Sequence, residues 1–308
     1  MSEHVTVLKE EAIEALNIHE DGIYVDMTLG GGGHSEAILS RLTTGHLYAF
    51  DQDEFAIEKS KERLSQYQNV TFIRSNFENV ISELSNLGVT KVDGILFDLG
   101  VSSFQFDIPE RGFSYQKDNP LDMRMDQSQS FSAKDIVNEY SPEELSKIFF
   151  EYGEEPFAKS IAKAICIERA KAPIETTFQL VQIVKSALPQ KILNKKGHPA
   201  KQTFQALRIA VNDELDVFEH AIKDSILLLR KNGRIVVITF HSLEDRICKQ
   251  VFRDFSTIYI PKGLAIIPDE EAILRLISKK VILPSEAEVS ANNRAHSAKM
   301  RVAEKSHD

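Results

Sequence analysis

The sequence predicts an α/β protein, a doubly wound parallel sheet into which a helical subdomain is inserted. Three observations carry that prediction. An apolar run at Ile23, Tyr24 and Val25 ends in Asp26 and passes through Gly30, Gly31, Gly32 and Gly33 into a helical pattern. Strand-like and helix-like segments then alternate as far as Asp98. From about Asp107 to Pro199 no strand pattern is legible. Alternation of this kind builds a parallel sheet with helices on both faces, and a stretch that abandons it adds something the sheet does not need. The expected division is residues 1–106 with 200–308 as the sheet domain, and 107–199 as the insertion.

The elements follow in order. The helix after the glycines is marked by Ala37, Ile38, Leu39 and Leu42. A second strand, Leu47–Phe50, ends in Asp51. Helical spacing over Glu54–Tyr67 leads to a third strand at Val70–Arg74, and a helix over Phe77–Leu87 stops at Gly88 before a fourth strand, Val92–Asp98. In the insertion, Ser141, Pro142 and Glu144 form a capping-box start, with Gly153 as the stop. A helix is expected over Pro156–Lys171, and Thr176 caps another that ends before Pro189. One long helix is expected from Phe204 to Leu229, on a stripe through Leu207, Val211, Leu215, Phe218 and Ile222, ended by Gly233. A fifth strand follows at Arg234–Phe240, with Ser242 and Asp245 placed to cap the next helix, and the last strand is expected at Ala298–Ala303.

Composition bounds the class. The chain has 308 residues, 42% apolar and 27% charged, as in a soluble globular protein. No stretch approaches the ~20 apolar residues of a membrane span. The N-terminus, MSEHVTVLKEEAIEAL, is polar and acidic, without a signal-peptide core. Cys166 and Cys248 are the two cysteines, which fits a reducing cytoplasm and excludes a disulfide framework or a cysteine-built zinc site. A net charge of −9 gives no general affinity for nucleic acid. Two local basic clusters could supply it: Lys191, Lys195, Lys196, His198 and Lys201, and Arg294, His296, Lys299 and Arg301.

The glycine loop narrows the ligand. Glycine permits positive φ and lets bare backbone approach a ligand. Counted from Gly30, the third position of a G-x-G-x-x-G dinucleotide fingerprint holds Ser35, and counted from Gly31 it holds Glu36. No lysine follows the glycines, as a Walker loop requires. What remains is Asp26 at one strand end and Asp51 at the next, about 20 residues on, where a carboxylate binds ribose hydroxyls. That combination suits S-adenosylmethionine, which has a ribose, no phosphates, and a sulfonium cation that tolerates carboxylates.

In doubly wound sheets the chemistry lies beyond the carboxyl ends of the strands. Asp98 ends the fourth strand and His241 follows the fifth, making them candidate catalytic residues, Asp98 as holder of an acceptor N–H and His241 as the weaker candidate. Each also has a plain structural reading, as a turn or helix-start residue. Phe104, Phe106, Phe113 and Tyr115 could stack an extruded base or simply pack the fold. Asp122, Arg124 and Asp126 could bind substrate or form an internal ion-pair clamp.

The chain resembles the bacterial small-subunit ribosomal RNA N4-cytosine methyltransferases, the RsmH or MraW family. The segments that carry the resemblance are HVTVL (His4–Leu8), GIYVDMTLGGGGHS, LYAFDQD, DGILFDLGVSS, ERGFSY, PLDMRMD, YGEE, TFQALRIAVNDEL, FHSLEDR and SAKMRVAEK. It implies a class I, Rossmann-like S-adenosylmethionine-dependent methyltransferase fold with an inserted helical subdomain, which is expected to recognise the RNA because it interrupts the alternating pattern and ends in Lys191, Lys195, Lys196 and Lys201. It also implies cytoplasmic methylation of the exocyclic N4 of a cytidine in the decoding region of 16S ribosomal RNA, with S-adenosylhomocysteine as product. The small ribosomal subunit would be the partner, not DNA or a membrane. Carried over residue by residue, cofactor contacts fall on Gly32, Gly33, His34, Asp51, Phe77, Asp98 and Gln105, and no metal is implied. Where many amino-methyltransferases have [NDS]-P-P-[YFW], this chain has Asp98-Leu99-Gly100-Val101, a difference the family shares. Phe104 stands where the family pattern has proline. The competing functions are an NAD-linked or nucleotide-sugar enzyme on a Rossmann-like domain, and a non-enzymatic RNA-binding or ribosome-assembly factor on the same fold.

Overall fold

The computed structural model describes residues 6–258 and 271–307. His4 and Val5 of the HVTVL segment lie outside the described residues. The chain divides into two compact units, Met1–Gly100 with Leu215–Asp308, and Val101–Glu214. The second unit is wider at both ends than the expected 107–199.

The first unit is built on a seven-stranded sheet. Its strands are β1 (Ile23–Asp26), β2 (His46–Asp51), β3 (Val70–Arg74), β4 (Val92–Asp98), β5 (Leu229–Thr239), β6 (Leu274–Leu276) and β7 (Lys299–Lys305). They lie in the order β3-β2-β1-β4-β5-β7-β6. β1 to β5 pair in parallel, and β7 runs antiparallel to both β5 and β6. This is the class I methyltransferase arrangement. Both faces are covered, so successive residues of the central strands are all apolar: Ile235 and Val237 enter one core with Phe97 and Phe218, while Val236 and Ile238 enter the other with Tyr24 and Leu96. The strand order reverses between β1 and β4, and the crevice outside their carboxyl ends is the topological switch point. Asp26 and Asp98 end the two strands that flank it.

The structure departs from the sequence reading in four places. A helix at Lys9–Leu16, buried through Ala12, Ile13 and Leu16, precedes β1. The helix expected as one piece from Phe204 is two, Lys201–Asn212 and Glu214–Leu228, broken by Asp213 at φ 49°. The apolar stripe runs on across that break because both helices bury the same kind of face, so periodicity alone could not show it. Gly233 ends neither helix: β5 already starts at Leu229, and its pairing with β4 slips between Val92 and Gly94, beside Asn232 at φ 64°. β6 was not legible, being three residues at the sheet edge.

The second unit contains helices and, among the described residues, one isolated bridge between Pro120 and Thr176. Ser141 caps Pro142–Glu151 with a reciprocal bond to Glu144, and Thr176 caps Thr177–Ala187 in the same way with Gln179. The intervening helix is Ala158–Arg169. Their apolar faces meet in a core of Phe149, Ile161, Ile165, Leu180, Val184 and Leu207. The ion-pair reading of DMRMD is the observed one: the Arg124 fork grips Asp122 at 2.8 and 2.7 Å and donates to the Gln129 carbonyl, while Asp126 accepts from Ser128. Phe113 is buried and Tyr115 stacks on His198, so both are packing residues. That stack also takes His198 out of the expected basic cluster, whose lysines 191, 195, 196 and 201 are exposed.

Gly153 is required by close approach rather than by its φ. A Cβ there would lie 2.7 Å from the carbonyl oxygens of both Gln202 and Phe149. Backbone cannot yield cheaply, so Gly153→Ala should cost about 1–3 kcal/mol by overpacking. Calorimetry should show a lowered Tm; an unchanged Tm would show that this contact relaxes freely.

Candidate active site

The site is assembled from the loops that leave β1, β2, β4 and β5. After Asp26 the chain turns back on itself through Leu29–Gly32. Leu29 donates to the Phe50 carbonyl (2.9 Å), and Gly32 donates to the Leu29 carbonyl (2.7 Å). Gly30 and Gly32 have φ of 49° and 74°, which L side chains adopt only under strain. Gly33 opens the helix Gly33–Leu39, and a Cβ there would lie 1.8 Å from Thr6 Oγ1. Three of the four glycines are therefore needed for backbone geometry or space.

The loop is clamped from several sides. Gly30 N–H donates to Asp51 Oδ2 at 2.9 Å, so the carboxylate at the end of β2 also fixes the loop. Ser60 Oγ donates to the Gly30 carbonyl (2.8 Å) and Arg63 to the Gly31 carbonyl (3.1 Å), while Arg63 grips Glu36. Asp26 is fully buried and accepts from Thr28 N–H (3.0 Å) and Ser35 Oγ (2.7 Å). Thr28 Oγ1 in turn accepts from Asp98 N–H at 2.6 Å, tying the ends of β1 and β4 together. Ser35, Thr28, Ser60 and Arg63 were missed by the sequence reading, because hydroxyls and a helix-surface arginine carry no spacing signal of their own.

Four carboxyl groups converge here, and the surroundings of Asp26, Asp51 and Asp98 resist their ionisation. Burial pushes Asp26 up to about 6 despite the Ser35 and Thr28 bonds. Burial, opposed by the Asp53 and Gly30 N–H groups, pushes Asp51 up to about 7. Asp98 is held well above the carboxylate range by burial, then by the charges of Asp26 and Glu244. Its Oδ2 lies 3.5 Å from His34 Nδ1, and its Oδ1 is buried with no hydrogen-bond partner among the described residues. An unpartnered buried acceptor is costly and points to a donor from a ligand. Asp51 uses one lone pair of each oxygen on the loop and the Asp53 N–H, leaving others for two hydroxyls.

The remaining expected residues fall as follows. Phe77 opens a short turn after β3 and meets Phe97 edge to face at 5.7 Å; the preceding Asn76 donates to Gln52, next to Asp51. His241 is itself the N-cap of Ser242–Phe255, in place of the expected Ser242. Its Nδ1 accepts from Glu244 N–H at 3.5 Å, and its Nε2 lies 3.0 Å from Glu244 Oε1 without a hydrogen bond. The Glu244 carboxylate reaches back to the N–H groups of Phe240 (2.7 Å) and His241 (3.2 Å). Asp245 is no cap either. Burial would raise it, but Arg301 (2.7 Å) and Lys299 (3.3 Å) outweigh that and hold it below the usual range. This removes two of the four cations from the expected 294–301 cluster. Gln105 belongs to the second unit, where it is buried and closes a capping box with Ser102. Gly32, Gly33, His34, Asp51, Phe77, Asp98 and His241 all lie in the first unit.

The raised carboxyl groups fix the sign of a pH effect. A carboxyl whose folded pKa lies above its unfolded value binds more protons when folded, so stability falls as pH rises between the two. For Asp51 that window is about pH 4 to 7. Asp51→Asn should make stability, measured by urea unfolding, less steep in that window. Profiles of equal slope for the two proteins would contradict the burial argument.

Among solved structures, the chain is similar to an rRNA methylase from Streptococcus thermophilus (14% identity, 97% of this chain and 94% of that one, TM-score 0.43). It is also similar to a protein of Streptococcus mutans solved in complex with SAH (14% identity, 98% and 99% covered, TM-score 0.43). The sequence itself matches the MraW methylase family over residues 1–306, almost its whole length. The chain belongs to the MraW methylase family.

Proposed function

We propose that the protein transfers a methyl group from S-adenosylmethionine to the exocyclic N4 of a cytidine in small-subunit ribosomal RNA, in the decoding region that the family resemblance implies. The observation that carries this reading is the meeting of Asp26, Asp51, Asp98 and Glu244 at the switch point, beside a glycine loop with no lysine. Phosphates would be repelled there, and a cation is welcome.

S-adenosylmethionine supplies an electrophilic methyl group on a sulfonium. The chain's part is to bind, orient and manage one proton. The Gly32 and Gly33 backbone and His34, at the start of their helix, hold the amino-acid end of the cofactor. Asp51 accepts from the ribose hydroxyls, and Phe77 packs against the adenine. Asp98 Oδ1 accepts an N–H of the cytosine amine, turning the nitrogen lone pair out of the ring and toward the methyl group. The same oxygen is placed to receive the proton that the amine loses. His241 holds Glu244 in place at the rim. The helical unit recognises the RNA, with the exposed lysines 191, 195, 196 and 201 meeting phosphates.

The test is incubation with labelled S-adenosylmethionine and undermethylated small ribosomal subunits, followed by nucleoside mass analysis. N4-methylcytidine is expected; label on another nucleoside, or none, would sink the assignment. Asp51→Ala removes charge-assisted bonds of roughly 1.5–3 kcal/mol each. Cofactor affinity by calorimetry should therefore fall at least about tenfold. Asp98→Asn should fold and bind RNA yet lose most of the transfer rate at saturating cofactor. Wild-type turnover in that variant would refute the role given to Asp98.

A further inference from the structure

Helix Ser242–Phe255 leaves the site at His241 and runs along the surface of the first unit. Leu243, Cys248, Val251 and Phe252 are buried, which fixes how the helix is turned. The opposite face exposes Arg246, Lys249 and Arg253. Spacings of three and four residues put these on one stripe, about 10 Å long from first to last at 1.5 Å per residue.

We propose that this stripe is a ridge that binds the phosphate backbone of the RNA substrate next to the methylated base. The inference rests on the reading of RNA as substrate given above. The chain carries a net charge of −9, and its site gathers four carboxyl groups. An RNA strand entering there is repelled unless cations stand at the rim. The acids of the same helix do not cancel the ridge. Asp245 is committed to Arg301 and Lys299, and Asp254 to the Gln250 amide at 2.7 and 2.8 Å. Lys249 makes no ion pair with a described residue, Arg253 donates to the neutral Gln250 side chain, and Arg246 is exposed but has a contact of its own. The ridge starts five residues from His241, about 7.5 Å along the helix axis, so a strand laid along it holds a neighbouring base near Asp98. RNA fits better than an acidic protein surface because the cations form a single file beside a base-modifying site rather than a broad patch.

The test uses the full chain and a short single-stranded RNA containing cytidine, with binding measured across a salt series. Each phosphate contact on a single strand contributes about 0.7 to the slope of log K against log salt. The triple variant Arg246→Gln, Lys249→Gln, Arg253→Gln should lose about 2 from that slope and bind S-adenosylmethionine as the wild type does. Should the triple variant unfold, Lys249→Gln and Arg253→Gln singly should each lose about 0.7. An unchanged slope overturns the ridge, as does a slope that falls only on replacing lysines 191, 195, 196 and 201. An equal loss of binding to polyglutamate would overturn the assignment to RNA. Methyl transfer by the wild type is measured alongside: no transfer to RNA would defeat the functional reading, whereas transfer with an unchanged slope defeats only the ridge.

Discussion

Taking a carboxyl group out of water favours its neutral form, and placing a second beside it favours that form further. The first unit does this at the ends of β1, β2 and β4, and again at the start of the helix after β5. Asp26, Asp51, Asp98 and Glu244 occupy one small region; the carboxyls of Asp26, Asp51 and Glu244 are held by backbone N–H groups or a neighbouring hydroxyl, and Asp98 is tied through its backbone N–H to Thr28. Such a cluster is destabilising in itself, and the fold tolerates it because a parallel sheet delivers its strand ends to one edge. The glycine loop, the Thr28 bridge to β4 and the His241–Glu244 capping box all serve to hold these groups at fixed positions.

The cluster also orders the chemistry. Asp51 and Asp26 spend their bonds on the glycine loop, so they build the cradle as well as face the ligand. Asp98 is different: one oxygen stands near His34 and the other is buried without a partner among the described residues. Within one set of carboxyls the surroundings thus separate groups committed to the loop from one that keeps an oxygen in reserve. His241 caps the helix after β5, its Nδ1 accepting from the Glu244 N–H.

Most of the sheet was legible because its central strands are apolar on both faces and β1, β2 and β4 end in acids. Asp26, Asp51 and Asp98 could each be placed at a strand end from the apolar run before it. The capping boxes at Ser141 and Thr176 were legible because their residue types mean little else. Where two elements bury the same face in succession, pattern fails. The stripe from Phe204 onward runs through the break at Asp213, and the start of β5 at Leu229 hides inside helical spacing. Side-chain commitments across the sequence were equally hidden. Nothing near Lys299 or Arg301 announces Asp245, and nothing near Tyr115 announces His198. The ridge of Arg246, Lys249 and Arg253 needed the buried face of its helix to be known first.

The central claim is that the carboxyl cluster is built to receive a cation. A bound cation lowers the pKa of nearby acids, so binding should expel protons wherever those acids are partly protonated. With Asp26 near 6 and Asp51 near 7, that holds between about pH 6 and 7. The direct measurement is calorimetric titration at such a pH in buffers of different ionisation enthalpy, comparing S-adenosylmethionine with uncharged-sulfur S-adenosylhomocysteine. The account predicts more protons released by the sulfonium ligand than by its product. Equal proton release by the two would contradict it.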